Sequence, residues 1–125
     1  MAMTNAEFRE LLEQRTKDFS VAVFKFLDAL AKRNSTKVIA YQLGKSASSI
    51  GANYREACRA ESRVDFGHKV QIALKEAAES HYWLEILAEL YPMHDTVKRL
   101  LKECIELRNL LQSIAKSVRA AKPKP

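Results

Sequence analysis

The chain has 125 residues, of which 47% are hydrophobic and 29% charged, and it carries a formal net charge of +6 at pH 7. That length suits one domain with a core of its own, and the balance excludes a disordered or fibrous chain. No apolar run approaches the ~20 residues that span a bilayer, and the start, MAMTNAEFRE, lacks a basic-then-apolar signal pattern, so a cytoplasmic protein is expected.

The first predicted helix covers residues 4–33, where Phe8, Leu11, Leu12, Phe19, Ala22, Val23, Phe26 and Leu30 recur at three- and four-residue spacing. RNS at 33–35 breaks the pattern, and Asn34 or Ser35 can cap a second helix over 35–61. Its stripe is Ile39, Leu43, Ala47, Ile50, Tyr54 and Ala57. Ser62 with Asp65 resembles a capping pair that opens a third helix over 63–91. Phe66, Val70, Ala73, Ala77, His81, Leu84 and Tyr91 line that helix, and Pro92 ends it. Asp95 is expected to cap a fourth helix over 95–119, with Val97, Leu101, Cys104, Leu111, Ala115 and Val118 inside. Alternating strand patterns are absent from the sequence, and the turns are short. The expected fold is all-α: an antiparallel up-down-up-down four-helix bundle over 1–119, followed by a basic Lys/Pro tail at 120–125.

One stretch is unusual for a helix. SASSIGANYREA at 46–57 holds three serines, a glycine and an asparagine, yet the apolar stripe runs through it. Ala40, Gly44, Ala47, Ser48 and Gly51 share one side, and each glycine costs about 1 kcal/mol of helix propensity. Small side chains let a neighbouring backbone approach closely, which offsets that cost. A loop reading would strand Ile50 and Tyr54.

Several faces exceed what an isolated bundle needs. Val21 and Phe24 lie opposite the main stripe of the first helix. Ile72, Trp83, Ile86 and Leu90 form a second strip on the third. Leu100, Leu107, Leu110 and Ile114 widen the apolar arc of the fourth. Contiguous apolar strips mark interfaces, so a homo-oligomer is expected, with Val21, Phe24, Ile72, Trp83, Ile86, Leu90, Leu107 and Leu110 at its contacts.

Glu76 and Glu79 sit within the second strip of the third helix, and carboxylates beside large apolar groups need partners. Asn53 and Glu56 border the core stripe of the second helix. These four are expected to form one polar network between the second and third helices, with Arg59 and Lys69 as counter-charges and Tyr82 alongside. Such a network fixes register and assembly; the alternative is a binding groove.

The catalytic patterns fail one by one. Gly44-Lys45-Ser46 resembles the end of a phosphate-binding loop, but Ile39 stands where that loop needs its first glycine, and a helix replaces the preceding strand. Asp65-x-x-His68 is not the paired Glu-x-x-His set of a di-iron bundle. His68, His81 and His94 do not form a metal set, and His81 reads as a hydrogen-bonded core residue. Cys58 and Cys104 lack metal-ligand spacing and read as reduced, buried thiols. A non-enzyme without cofactor or metal is expected. The positive charge lies mostly at the end: Lys116, Arg119, Lys122 and Lys124 occur in 116–125 with no acid, and without these four of the 21 Lys and Arg the balance is 17 against 15 Asp and Glu. Such a tail is ordinarily a solvated end, the alternative being a phosphate-binding arm.

Ser-Ile-x-x-Asn-x-x-Glu, here Ser49, Ile50, Asn53 and Glu56, is followed by Asp65, Phe66 and Lys69 and then by Lys75, Glu76, Ala77, Glu79, Tyr82, Trp83 and Leu84. This succession resembles the 23S rRNA intervening-sequence proteins, also called four-helix-bundle proteins. It covers roughly a third of the chain and is specific as a set rather than residue by residue. One departure is Tyr54-Arg55-Glu56-Ala57-Cys58, where many relatives have glycine after the Glu. The resemblance implies a bacterial cytoplasmic protein, a ring-like homopentamer and no catalytic residues. It singles out Asn53, Glu56, Lys69, Glu76 and Glu79. Some relatives are encoded inside segments that interrupt large-subunit rRNA genes, and similar bundles serve as accessory proteins of reverse transcriptases. Two readings of function follow: an RNA- or ribonucleoprotein-associated assembly module, or a protein-binding scaffold or accessory subunit that uses a polar groove between helices two and three. The first draws on the basic charge, which attracts polyanions without reading their sequence.

Overall fold

The computed structural model describes residues 2–120, so Lys122 and Lys124 lie outside the described residues. Four helices follow one another: α1 (Asn5–Ala29), α2 (Asn34–Cys58), α3 (Arg63–Leu90) and α4 (Asp95–Ala120). Among the described residues there is no strand, and the helices form a four-helix bundle.

Local chemistry sets their ends. Thr4 caps α1: its hydroxyl accepts from the Glu7 N–H at 3.1 Å, while the Glu7 carboxylate accepts from the Thr4 N–H at 3.2 Å. Hydrogen bonding to the Glu7 carboxyl from the Thr4 side chain and from the Thr4 N–H lowers its pKa. α1 stops at Ala29, four residues short of the expected end. The cause is Thr36, which is buried in the first turn of α2 and whose hydroxyl accepts from the Arg33 N–H at 2.7 Å and donates to the Ala31 carbonyl at 2.7 Å. Arg33, rather than Asn34 or Ser35, is therefore the capping position of α2. α2 ends at Cys58, where the Arg59 N–H reaches the Glu56 carbonyl at 3.0 Å and the Ala60 N–H reaches the Ala57 carbonyl at 3.0 Å. Ser62 caps α3 as expected, accepting from the Asp65 N–H at 3.0 Å. Asp95 is the first residue of α4, where its carboxylate suits the helix dipole.

All six stripe residues of α2 are buried: Ile39, Leu43, Ala47, Ile50, Tyr54 and Ala57. They meet Leu12, Phe19, Val23 and Phe26 of α1, and Val70, Ala73, Ala77, Leu84 and Leu87 of α3, in one core. α4 requires a correction. Its core stripe is Val97, Leu100, Cys104, Leu107, Leu111 and Ala115, so Leu107 is fully buried and no partner can reach it. That stripe keeps regular three- and four-residue steps, which makes Leu100 and Leu107 inward residues and leaves Leu101 half-buried. Leu11, expected on the inner face of α1, is exposed, and the inward position beside it belongs to Leu12.

The close approaches cluster on α2. A Cβ placed on Gly51 would come within 3.1 Å of the Thr16 hydroxyl and 3.3 Å of the Thr16 backbone carbon. One placed on Gly44 would meet the Phe24 ring at 3.2 Å. Between these glycines the Ser20 hydroxyl of α1 reaches the Ala47 carbonyl at 3.3 Å. On the other side of α2, the Ser80 hydroxyl of α3 donates to the Ser46 hydroxyl at 2.9 Å, and both serines are fully buried. α3 and α4 meet where the Cys104 thiol donates to the Ala77 carbonyl at 3.5 Å. α1 and α4 share the sparsest contact. There Arg15 grips Glu103 with two bonds, at 2.8 and 2.6 Å.

Two results are expected from thermal or urea unfolding. Gly51→Ala destabilises by about 1–3 kcal/mol, because the Thr16 backbone cannot yield. Gly44→Ala stabilises by up to about 1 kcal/mol, because the half-exposed Phe24 ring can swing aside and helix propensity is gained. Equal effects at both positions would contradict the close-approach account. In a double-mutant cycle, Ser46→Ala and Ser80→Ala each cost about 1–2 kcal/mol. The double change costs less than their sum, since no orphaned hydroxyl remains.

Candidate functional site

The polar set expected between α2 and α3 does not assemble into one network. Asn53 is half-buried, and its side-chain amide donates to the Ser49 carbonyl on its own helix at 2.8 Å. Arg59 turns to α1, donating to Glu13 at 3.0 Å and to the Arg55 carbonyl at 3.0 Å. Only Glu56 crosses, with its carboxylate 3.9 Å from the Lys69 ammonium of α3. Among the described residues, no hydrogen bond or ion pair joins Asn53 or Glu56 to Glu76 or Glu79. The physical reason is that each group has a cheaper solution: Asn53 uses a carbonyl one turn back, and exposed Glu56 keeps its water.

Glu76 and Glu79 are left without an ion pair within 4.0 Å among the described residues. Glu76 is half-buried. Burial raises the pKa of its carboxyl, the charge of Glu79 raises it further, and Lys45 and Lys75 oppose the shift. Tyr82 is 57% exposed, and its ring meets Trp83 edge-on, with centroids 5.1 Å apart. The indole N–H of half-buried Trp83 is shielded from water and has no acceptor. Among the described residues it is the one buried side-chain polar atom in that condition.

The apolar strips stand outside the core, apart from Leu100 and Leu107. Val21, Phe24, Ile72 and Leu90 are exposed, Phe24 to 46%, while Trp83, Ile86 and Leu110 are half-buried. Along α3, Ile72, Glu76, Glu79, Trp83, Ile86 and Leu90 follow one another at three- and four-residue steps. They form a mixed acidic and apolar strip beside the α2 edge. Lys116 and Arg119 are exposed on the last turns of α4.

Other expected or excluded chemistry can be placed directly. Cys58 and Cys104 are free thiols, Cys104 buried and Cys58 half-buried rather than buried. Burial pushes the Cys104 thiol up to about 12. His81 is half-buried rather than in the core, and its Nδ1 accepts from the Arg108 guanidinium at 2.9 Å. Among the described residues, no group of three or more His, Cys, Asp or Glu is placed to hold a metal ion. No described helix is long and apolar enough to cross a membrane.

Three features were missed in the sequence. The Ser46–Ser80 pair had a signal: each serine occupies a core slot of its stripe, Ser46 between Leu43 and Ile50 and Ser80 between Ala77 and Leu84. The Arg15–Glu103 clamp spans 88 positions and leaves no local trace. The orphan N–H of Trp83 depends on how its neighbours close over it.

Comparison with known proteins agrees with this geometry. A family model described as 23S rRNA-intervening sequence protein matches residues 11–113, leaving 116–125 outside the matched span. Among solved structures, the chain is similar to a protein with unknown function from the S23 ribosomal protein family of Bacteroides thetaiotaomicron VPI-5482. The identity is 36% and the TM-score 0.76, over 84% of this chain and 98% of that one. Among curated proteins there is no match. A match over most of α1 to α4, on the residues that build the bundle, means that this chain belongs to the 23S rRNA-intervening sequence protein family.

Proposed function

We propose that this chain is a non-enzymatic, self-assembling bundle that acts as an RNA- or ribonucleoprotein-associated interaction module. In this reading it is one cytoplasmic domain over 1–119 with its four helices antiparallel, up-down-up-down. The order of contacts supports that arrangement: Glu13 meets Arg59 where Thr16 meets Gly51 and Phe24 meets Gly44, so rising numbers on α1 face falling numbers on α2. The observation that carries the assembly reading is the apolar side chains left outside the core, Val21, Phe24, Ile72 and Leu90 above all. A ring-like homopentamer is the form the family resemblance suggests. RNA association rests on the net charge of +6, which accumulates when copies assemble. A second reading, as a protein-binding scaffold or accessory subunit such as one for a reverse transcriptase, is favoured by the unpaired Glu76 and Glu79 beside the α2 edge.

Multi-angle light scattering at micromolar concentration is expected to give a multiple of 14.2 kDa, close to five times that mass. Phe24→Asp lowers it toward one chain. A wild-type mass of one chain refutes self-association.

RNA binding is expected to be weak and to fall steeply with salt, because phosphate contacts release counterions. Shortening α4 would remove Val118, which packs against Gly67, so the charges are better neutralised in place by Lys116→Gln, Arg119→Gln, Lys122→Gln and Lys124→Gln. That variant flattens the salt dependence, with a slope smaller by up to about four. An unchanged slope, or no binding by the wild type at low salt, refutes the role of these four residues.

A further inference from the structure

Two faces of this molecule carry opposite charge around an apolar centre. The first is the α3 strip. The charged residues of the strip are Glu76 and Glu79, both acidic. One copy leaves three needs unmet there. Ile72 and Leu90 face water, Glu76 is half-buried without an ion pair, and the Trp83 indole N–H is shielded without an acceptor. Each is a cost in the isolated chain, and contact with another surface relieves the first two.

The second face is the furrow between α1 and α2, which runs over Ser48, Gly51 and Ala52. Val21 and Phe24 line it, and Lys17, Arg55 and Arg59 rim it. Three bases stand there against two acids: Glu13 lies 3.7 Å from Arg55 and 3.0 Å from Arg59, and Glu56 pairs with Lys69 of α3, so the furrow is basic by one charge. Lys17 is exposed and has no acid within 4.0 Å among the described residues. Strip and furrow flank α2 on its two sides, so one copy can use both at once.

We propose that the acidic-apolar strip of α3 docks into the basic-apolar furrow between α1 and α2 of a second copy, head to tail. The proposal rests on the self-association reading and names the two surfaces that meet. Charge complementarity selects this pairing. Strip on strip would set Glu76 and Glu79 against their own copies, and furrow on furrow would oppose Lys17 and Arg55 to theirs. Because the two faces differ, each copy keeps one of each kind free until the series closes, which yields a ring or a filament rather than a two-fold dimer.

Charge reversal tests the pairing. Glu76→Lys with Glu79→Lys reverses the strip, and Lys17→Glu with Arg55→Glu reverses the furrow. Sedimentation velocity over a dilution series reads assembly, and far-ultraviolet circular dichroism checks folding. Either reversal alone is expected to weaken assembly at least tenfold, and all four changes on one chain restore it. Mixing the two singly reversed chains restores it in part, because every contact between unlike chains is complementary while a closed ring of five keeps at least one like pair. If the Glu76 change impairs folding, Glu79→Lys with Lys17→Glu carries the same expectation. Trp83 is the only tryptophan, so its emission shifts to the red as the wild type is diluted into single chains. Four results overturn the proposal: strip reversal that leaves assembly unchanged, as strip-on-strip contact would, because Lys then opposes Lys where Glu opposed Glu; no recovery in the fourfold variant; Trp83 emission that stays constant while the assembly dissociates; and a wild type that is a single chain throughout. The last alone also overturns the self-association reading, so the two failures are distinguishable.

Discussion

The close approach of α2 to its neighbours is the constraint on which the rest depends. On one side Gly51 lies against the backbone of Thr16; on the other Ser46 bonds to Ser80 with both side chains fully buried. Neither contact tolerates a larger residue without moving a helix. Glycines that cost helix propensity and serines that cost desolvation are kept because the interhelical distances require them. Once α2 is fixed, the large residues of α1 and α3 find their places: Phe19 and Val23 from α1, Leu84 and Leu87 from α3. α4 then packs on α3, and the Arg15–Glu103 clamp bridges the sparse seam between α1 and α4.

That arrangement also decides what is left over. With Leu100 and Leu107 drawn into the core, α4 leaves Ile105 exposed and Leu101, Leu110 and Ile114 half-buried against the core. Part of the remaining apolar surface falls beside α2, at Ile72 and Leu90 on the α3 strip and at Val21 and Phe24 in the furrow, and the charges around the two differ in sign. The functional interest of the chain therefore lies in its outer faces. The exposed aromatic and aliphatic groups, the unpaired carboxylate of Glu76 and the shielded indole of Trp83 are features an isolated bundle has no use for.

Much of this was legible in the sequence, and the failures are informative. The α2 stripe, the Ser62 cap and the helical reading of 46–57 follow from periodicity and capping chemistry, which are local. The end of α1 was not legible, because a single hydroxyl, that of Thr36, ties the turn from the following helix. Leu107 was misplaced because α4 is apolar over more than half its circumference, so periodicity alone does not say which side faces inward. The single polar network failed for a different reason. The helix register sets Ser46 against Ser80 and Glu56 against Lys69, so Glu76 and Glu79 lie opposite earlier turns of α2 than Asn53 and Glu56, and Asn53 bonds to its own helix. The family resemblance marked these residues without saying what they contact.

Residue-resolved hydrogen exchange on the dispersed chain, at a dilution where copies are apart, tests most directly whether α2 holds the bundle together. The account predicts that the amides of Ser46 to Tyr54 exchange last, only through global unfolding, while the turns at the α1–α4 seam open earlier by local fluctuation. If the centre of α2 exchanged as fast as the ends of α1 and α4, the close approach at Gly51 and the Ser46–Ser80 bond would not be the constraint that organises this fold.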